Sequence, residues 1–414
     1  MNLEPEVLVI GAGPAGLSAA SEMARRGVRN VVVVDRETDA GGIPRFCPHP
    51  TFGLAQFWRP MSGPAYAAKL RSMVDPRSIR TATTVTRLGA DLETTFSSEN
   101  GEAILKPRRI LLATGIRETP RSARLVSGER PRNILTTGAL QRILAGGRGL
   151  PFRRPVIVGT ELVSFSALLS LREGGARPAA MIEQGRRITA RRPAGLFARW
   201  VTATPILYGA TVIRINAATN DPTLLASVTI SRLGGSHEVV DCDAVVFTGR
   251  FVPEASLLGT NNELQDPGSR GPAIDQRWRL ASPGLYAAGN LLRPVETAGW
   301  CAQEGRAAGG CIAADIATPP ARDSRRIPIA ANDPVAFTTP SCIATGETEA
   351  GQFRLGVRMS RAARGRFVLS ADGKPFWHSA PMSALPERRI LLSPVLPDLS
   401  RIGEFQLGLE HGKG

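Results

Sequence analysis

Short apolar runs that end on glycine and give way to helical spacing recur along most of this chain. Residues 6–27, EVLVIGAGPAGLSAASEMARRG, read as a buried strand, a glycine turn and an amphipathic helix; residues 29–35, RNVVVVD, read as the next parallel strand. Helical spacing returns in PAYAAKLRSMVD at 64–75, and strands in SIRTATTVTRLGAD at 78–91 and RRILLATG at 108–115. A second unit of the same kind begins at Pro155, with strand PVIVG, helix ELVSFSALLSLREGG and strand PAAMIEQ. ATVIRINAA, LASVTIS and DAVVFTG follow as strands, and GLYAAGN at 284–290 is a strand with a sharp stop. Residues 296–317 are again helical in spacing. Beyond Ile327 the period falls to two: FRLGVRM, GRFVLS, RRILLS and EFQLGLEH are short runs parted by proline, glycine and aspartate. That is the pattern of a small sandwich.

The reading is an α/β protein with two Rossmann-like dinucleotide-binding domains, one inserted in the other, and a C-terminal all-β module. The first domain is expected at 1–125 and 270–326, the second at 126–269 and the module at 327–414. A chain of 414 residues exceeds one compact core, in keeping with several domains. No apolar run approaches the roughly 20 residues that cross a bilayer. The start, MNLEPE, is acidic and leads straight into a strand, unlike a signal or transit peptide, so a cytoplasmic location is expected.

The net charge of +15 is almost all arginine, but no nucleic-acid motif accompanies it, and 5% aromatic residues supply few stacking platforms. Nucleic acid is therefore not an expected partner. The arginine run from Arg186 to Arg199 reads as a solvated face, or as a dock for an acidic electron carrier. Five cysteines, Cys47, Cys242, Cys301, Cys311 and Cys342, include no CxxC pair, so neither a metal site nor a dithiol is indicated.

The strongest chemistry lies in Gly11-Ala12-Gly13-Pro14-Ala15-Gly16. Gly11 permits the tight turn, Gly13 lets a pyrophosphate approach the backbone, and Gly16 lets helix and strand pack closely. The helix end adds free N–H groups and a positive dipole. Asp35, 19 residues beyond Gly16, ends the second strand where a carboxylate meets ribose hydroxyls. FAD rather than NAD is expected here, on two further segments. LLATG at 111–115 and LYAAGN at 285–290 resemble two motifs of FAD proteins, and that resemblance implies Ala113, Thr114 and Gly115 beside the adenosine end and Gly289 and Asn290 beside the ribityl chain, with Asn290 in place of the motif's acid. The following helix aims its start, near Thr297 and Ala298, at the pyrimidine end of the flavin. Arg36 and Gly42 complete the expected cofactor contacts.

In this order of motifs, with Thr248–Arg250 as TGR, residues 7–317 resemble the two-dinucleotide-domain flavoproteins that include the pyridine nucleotide–disulfide oxidoreductases. GGIPRFCPHPTFGL at 41–54 is similar to the FAD subunits of opine oxidase, hydroxyproline dehydrogenase and hydrogen cyanide synthase. It is also similar to flavoproteins encoded beside glycerol-3-phosphate dehydrogenases, which share the pattern of Cys47, His49, Phe52, Gly53 and Leu54. The resemblance implies an FAD-dependent dehydrogenase, or its flavin subunit, acting on an amine, imino acid or opine. Where the disulfide reductases carry two cysteines, this chain has Cys47 alone, so exchange with an internal dithiol is not available.

Two positions near the expected flavin are candidates for catalysis. His49 is a proton acceptor for an amine or alcohol, and Cys47 a thiolate; both also suit a turn that shapes the pocket. Arg45, Trp58 and Arg59 are candidates for holding a substrate carboxylate, and Trp300 and Glu304 face the same region. The second glycine turn is different. In Gly159-Thr160-Glu161 only the first glycine survives, and Glu161 sets a carboxylate where a diphosphate belongs, a like-charge contact of about 1–3 kcal/mol. Glu183 ends the next strand where a ribose partner belongs, with Arg186 and Arg187 suited to a 2′-phosphate. The favoured reading is a degenerate nucleotide domain and a non-NAD(P) acceptor, such as a partner subunit, quinone or carrier. The alternatives are a single-cysteine NAD(P)H-dependent reductase of disulfide or peroxide, and a non-catalytic FAD-holding subunit.

Overall fold

The computed structural model describes residues 5–190, 202–259, 262–320, 324–346, 353–386 and 388–410. Two compact units emerge, and the chain crosses between them four times. The first holds Met1–Gly42, Ala67–Ile116 and Pro253–Gly414; the second holds Ile43–Tyr66 and Arg117–Val252. The C-terminal module thus clusters with the first nucleotide fold, and the Cys-Pro-His-Pro segment with the second.

In the first unit, the all-apolar runs become a five-stranded sheet ordered Leu285–Ala287, Arg109–Leu112, Val7–Ile10, Val31–Val34 and Ile79–Arg80. Every pairing in it is parallel. Val7 to Ile10 are all buried, as central strands covered on both faces must be. The helices Pro14–Arg25 and Ala298–Ala317 lie against each other at close range. A Cβ added to Gly305 would sit 2.0 Å from the Ala15 carbonyl oxygen, and one added to Gly309 2.6 Å from that of Ala19. The segment read as one strand at 78–91 is two. Ile79–Arg80 joins the parallel sheet, and Thr83–Leu88 turns into an antiparallel meander with Thr94–Ser98 and Gly101–Leu105.

The C-terminal β-rich part forms two sheets around a core of its own, with Phe367, Phe405, Leu369 and Leu407 fully enclosed. Strand Ala363–Ala371 pairs through Arg366–Ala371 with Phe405–Glu410 and through Ala363–Gly365 with Met382–Ala384, and buries Phe367, Val368 and Leu369 in its middle.

In the second unit, five parallel strands run in the order Ile134–Thr136, Ala244–Phe247, Pro155–Val158, Ala180–Glu183 and Ile206–Tyr208. Helices Thr137–Ala145 and Leu162–Glu173 pack on one side around Leu140, Leu168 and Leu171. A four-stranded sheet built on Ala210–Ala217 and Leu225–Arg232 covers the other side through Ile215, Val228 and Phe247. The arginine run expected from Arg186 to Arg199 lies beyond residue 190 outside the described residues. Among the described residues, no helix is long and apolar enough to cross a membrane.

Candidate cofactor site

The glycine turn after Val7–Ile10 has the shape a diphosphate requires. Gly11 holds φ at +108°, and any Cβ there would strike the Ala113 carbonyl oxygen at 2.4 Å. A Cβ on Gly16 would fall 1.9 Å from the Gly11 oxygen, so helix and turn touch. Before Gly13 the space is open: its Cβ would meet only the Gly42 Cα, at 3.9 Å. Gly13 is also the N-cap of the first helix, with no side chain capping it and Pro14 in the first turn. An uncapped helix end facing open space is an anion site. Asp35 is oriented for its part. Its Oδ2 accepts from the Ala12 amide at 2.7 Å and its Oδ1 from the Glu37 amide at 2.9 Å, leaving a lone pair on each oxygen. Burial pushes its carboxyl up, and the two amide bonds pull it back. Arg36 is exposed.

The other expected contacts converge in the same unit. Thr114 donates to the Glu254 carbonyl at 2.7 Å, and Gly115, at φ +75°, faces open space. Ala15 and Ala113 form a small cluster with Cys301, and Gly289, at φ +80°, lies over Ala15. Asn290 has a role the sequence did not disclose. Its Oδ1 accepts from the Glu296 amide at 2.7 Å, and its Nδ2 donates to the Glu296 carbonyl at 3.2 Å. The side chain therefore closes a loop onto the start of the long helix, and its oxygen keeps one lone pair for a hydroxyl. Thr297 caps that helix, accepting from the Trp300 amide at 3.3 Å, and Ala298 opens it. These residues fit FAD.

Alongside lies a cavity of about 880 Å³, lined by Trp300, Gln303 and Glu304 on the helix and by Phe353, Leu391 and Val395 on the β module. That volume suits a small organic molecule.

The second cradle is filled by its own side chains. A Cβ on Gly159 would meet Glu161 Oε2 at 2.3 Å, and one on Gly249 would meet Oε1 at 2.4 Å, so the carboxylate lies across both glycines. Ser164 and Thr248 hold Oε2 at 2.8 and 3.0 Å. Glu183 is buried rather than poised at a solvated strand end: it accepts from Thr160 and from the Gly185 amide at 2.6 Å. The segment after it folds back, with Thr189 and Ala190 amides bonded to Thr160 at 3.0 and 2.9 Å. Thr160 is fully enclosed as a result.

Cys47 and His49 stand in the second unit, not in the unit that holds the Gly11–Gly16 turn. Gly63 ties their loop, its amide donating to the Cys47 carbonyl at 2.9 Å. The Cys47 thiol is buried and donates to the Ile43 carbonyl at 3.6 Å. Burial pushes it up to about 12, against hydrogen bonds with Ser166 and Gln141, so it is a neutral thiol at pH 7. His49 places Nε2 2.6 Å from Ser166 Oγ and Nδ1 2.9 Å from Thr51 Oγ1. Of the proposed carboxylate holders, Arg45 lies over Phe46 and Trp58 is 90% exposed.

Burial lowers the His49 pKa below 6.5. A depressed histidine stabilises the fold fully above its unfolded value, and that contribution is lost as pH falls through the folded one. Wild-type protein should therefore lose stability below pH 6.5 more steeply than His49→Gln, measured by urea unfolding at stepped pH. Parallel curves would show that the ring is not held neutral.

Residues 5–305 match the family model described as pyridine nucleotide-disulphide oxidoreductase, and the chain belongs to that family. It is an FAD-dependent oxidoreductase. Thioredoxin reductase of T. acidophilum superposes with a TM-score of 0.63 at 20% identity, over 76% of this chain and 99% of that one. L-proline dehydrogenase of P. horikoshii superposes at 0.56 and 14% identity, over 76% of this chain and 56% of that one. A NAD-dependent persulfide reductase of A. fulgidus superposes at 0.56 and 16% identity, over 88% and 68%. These similarities establish the fold. By sequence, 42 residues, 10% of this chain, are 50% identical to thiamine thiazole synthase of Thermotoga maritima, of which the chain spans 17%.

Proposed function

We propose that this protein is a dehydrogenase, or the flavin subunit of one, for an amine, imino acid or opine, and that electrons leave to an acceptor other than NAD(P). The acceptor is a partner subunit, a quinone or a carrier protein, and the setting the cytoplasm, where five free cysteines stay reduced. FAD, when bound, supplies the two-electron acceptor for the substrate. The single observation that carries the reading is Glu161, whose carboxylate occupies the ground a nicotinamide dinucleotide would need. The buried, neutral thiol of Cys47 speaks against a disulfide or peroxide reductase built on it. His49, whose pKa burial lowers, is the candidate proton acceptor. The amine class rests on the segment 41–54 and is in keeping with the fold shared with L-proline dehydrogenase.

Anaerobic titration of the FAD-loaded protein tests it. A secondary amine or imino acid should bleach the flavin band, and NADH and NADPH should not. Rapid bleaching by either nicotinamide would sink the reading. Glu161→Gly removes the like charge and the obstruction, and should tighten NADH or NADPH binding roughly 5- to 150-fold, the equivalent of about 1–3 kcal/mol.

A further inference from the structure

Five charged side chains meet where the C-terminal β module packs on the long helix. Glu296, just before that helix, is 7% exposed. Its carboxylate accepts from Arg358, from Arg389 at 2.7 Å and from Arg293 at 3.4 Å. Arg293 also reaches Glu304. Arg293 and Arg358 are each 4% exposed, and the guanidinium of Arg389 lies 3.6 Å over the Trp300 ring. Three cations against two carboxylates leave this buried seam with one net positive charge.

Gluing the module to the helix does not explain such a choice. Buried ion clusters are costly to desolvate, and a well-packed apolar seam holds two surfaces at least as firmly. What sets Glu296 apart is its main chain. Both its amide and its carbonyl are taken by the Asn290 side chain, and the next residue, Thr297, caps the long helix. The arginines of the module therefore grip the residue that closes the Asn290 loop. Each arginine acts at a distance: Arg358 comes from strand Leu355–Met359, and Arg389 directly precedes strand Ile390–Leu392.

We propose that Arg358 and Arg389 are positioning residues of the cofactor site. They reach in from the C-terminal module to fix Glu296, and through it Asn290 and the start of the long helix. The proposal rests on residues 289–298 forming the flavin end.

The test uses the full chain, stripped of FAD and reconstituted. Arg358→Met and Arg389→Met are compared with Arg361→Met, an exposed arginine of the same module that pairs only with Asp333 among the described residues. FAD affinity is read from quenching of flavin fluorescence, and the flavin environment from visible circular dichroism. Arg358→Met should weaken FAD at least tenfold and change the visible spectrum, and Arg389→Met should do so to a smaller degree. Arg361→Met should do neither, and Arg358→Lys should recover part of the loss. Wild-type affinity and spectra in both methionine variants overturn the proposal. Asn290→Leu separates the two layers: if it weakens FAD while the arginine variants are silent, only the arginines' role fails. If it too is silent, the flavin-end assignment fails with it. Should Arg358→Met not fold, Glu296→Gln gives the same comparison, since it leaves the main-chain bonds to Asn290 in place.

Discussion

Gly305→Ala should yield little folded, FAD-loaded protein. The added Cβ would lie 2.0 Å from the Ala15 oxygen, 2.6 Å from its carbonyl carbon and 2.7 Å from its Cα. All three are backbone atoms of the first helix, which cannot swing aside as a side chain can. The two helices must part, and overpacking of this kind costs about 1–3 kcal/mol, or more where the obstacle is rigid. Parting them also displaces Ala15, in the first turn of the diphosphate cradle. Gly310→Ala, five residues on, makes the contrast. Its Cβ would first meet the flexible guanidinium of Arg26, at 3.2 Å, and helix propensity favours alanine by about 1 kcal/mol. Flavin content after purification and the temperature of FAD release should fall sharply for Gly305→Ala alone. Equal values for the two variants would refute the close-packing argument.

Asp315→Ala is the second substitution expected to do great damage. The carboxylate is 1% exposed and gathers Arg279 at 2.6 and 2.7 Å, Arg277 at 2.9 Å and the Tyr286 hydroxyl at 2.6 Å. Tyr286 belongs to the strand that delivers Gly289 and Asn290. Removing the acceptor takes from the buried Tyr286 hydroxyl and from Arg277 and Arg279 the one carboxylate they share, a loss of about 3–5 kcal/mol. The effect depends on pH in a defined direction. Burial pushes the Asp315 carboxyl up, but the bonds from Arg279 and Tyr286 outweigh it and hold the group below its usual 3.8. A depressed carboxyl contributes fully above its unfolded pKa and loses its contribution as pH falls through the folded value. Urea unfolding should show a wide gap between wild type and variant at pH 7, closing progressively below pH 4. A gap independent of pH would mean the loss comes from packing and not from charge.

The α/β fold and the β-rich C-terminal part were legible because their signals are local. A central parallel strand must be apolar at every position, a diphosphate turn must be glycine at fixed offsets, and a half-buried strand must alternate. Glu161 was legible for the same reason, since one carboxylate in a glycine's place is visible without coordinates. The bend at residues 81–82, which parts one expected strand into two sheets, was not, because its flanks are equally strand-like.

What the sequence by itself determined is the shape of the first glycine turn: Gly11, Gly13, Gly16 and Asp35 act through spacing along one strand, turn and helix. Tertiary structure alone decided the rest. Arg358 and Arg389 look like any others in an arginine-rich chain, and only folding carries them some sixty and ninety residues back to Glu296. Likewise, nothing in Cys-Pro-His-Pro foretells a thiol that burial keeps protonated. Desolvation and long-range ion pairing depend on which surfaces close over a group, and that is settled only when distant segments meet.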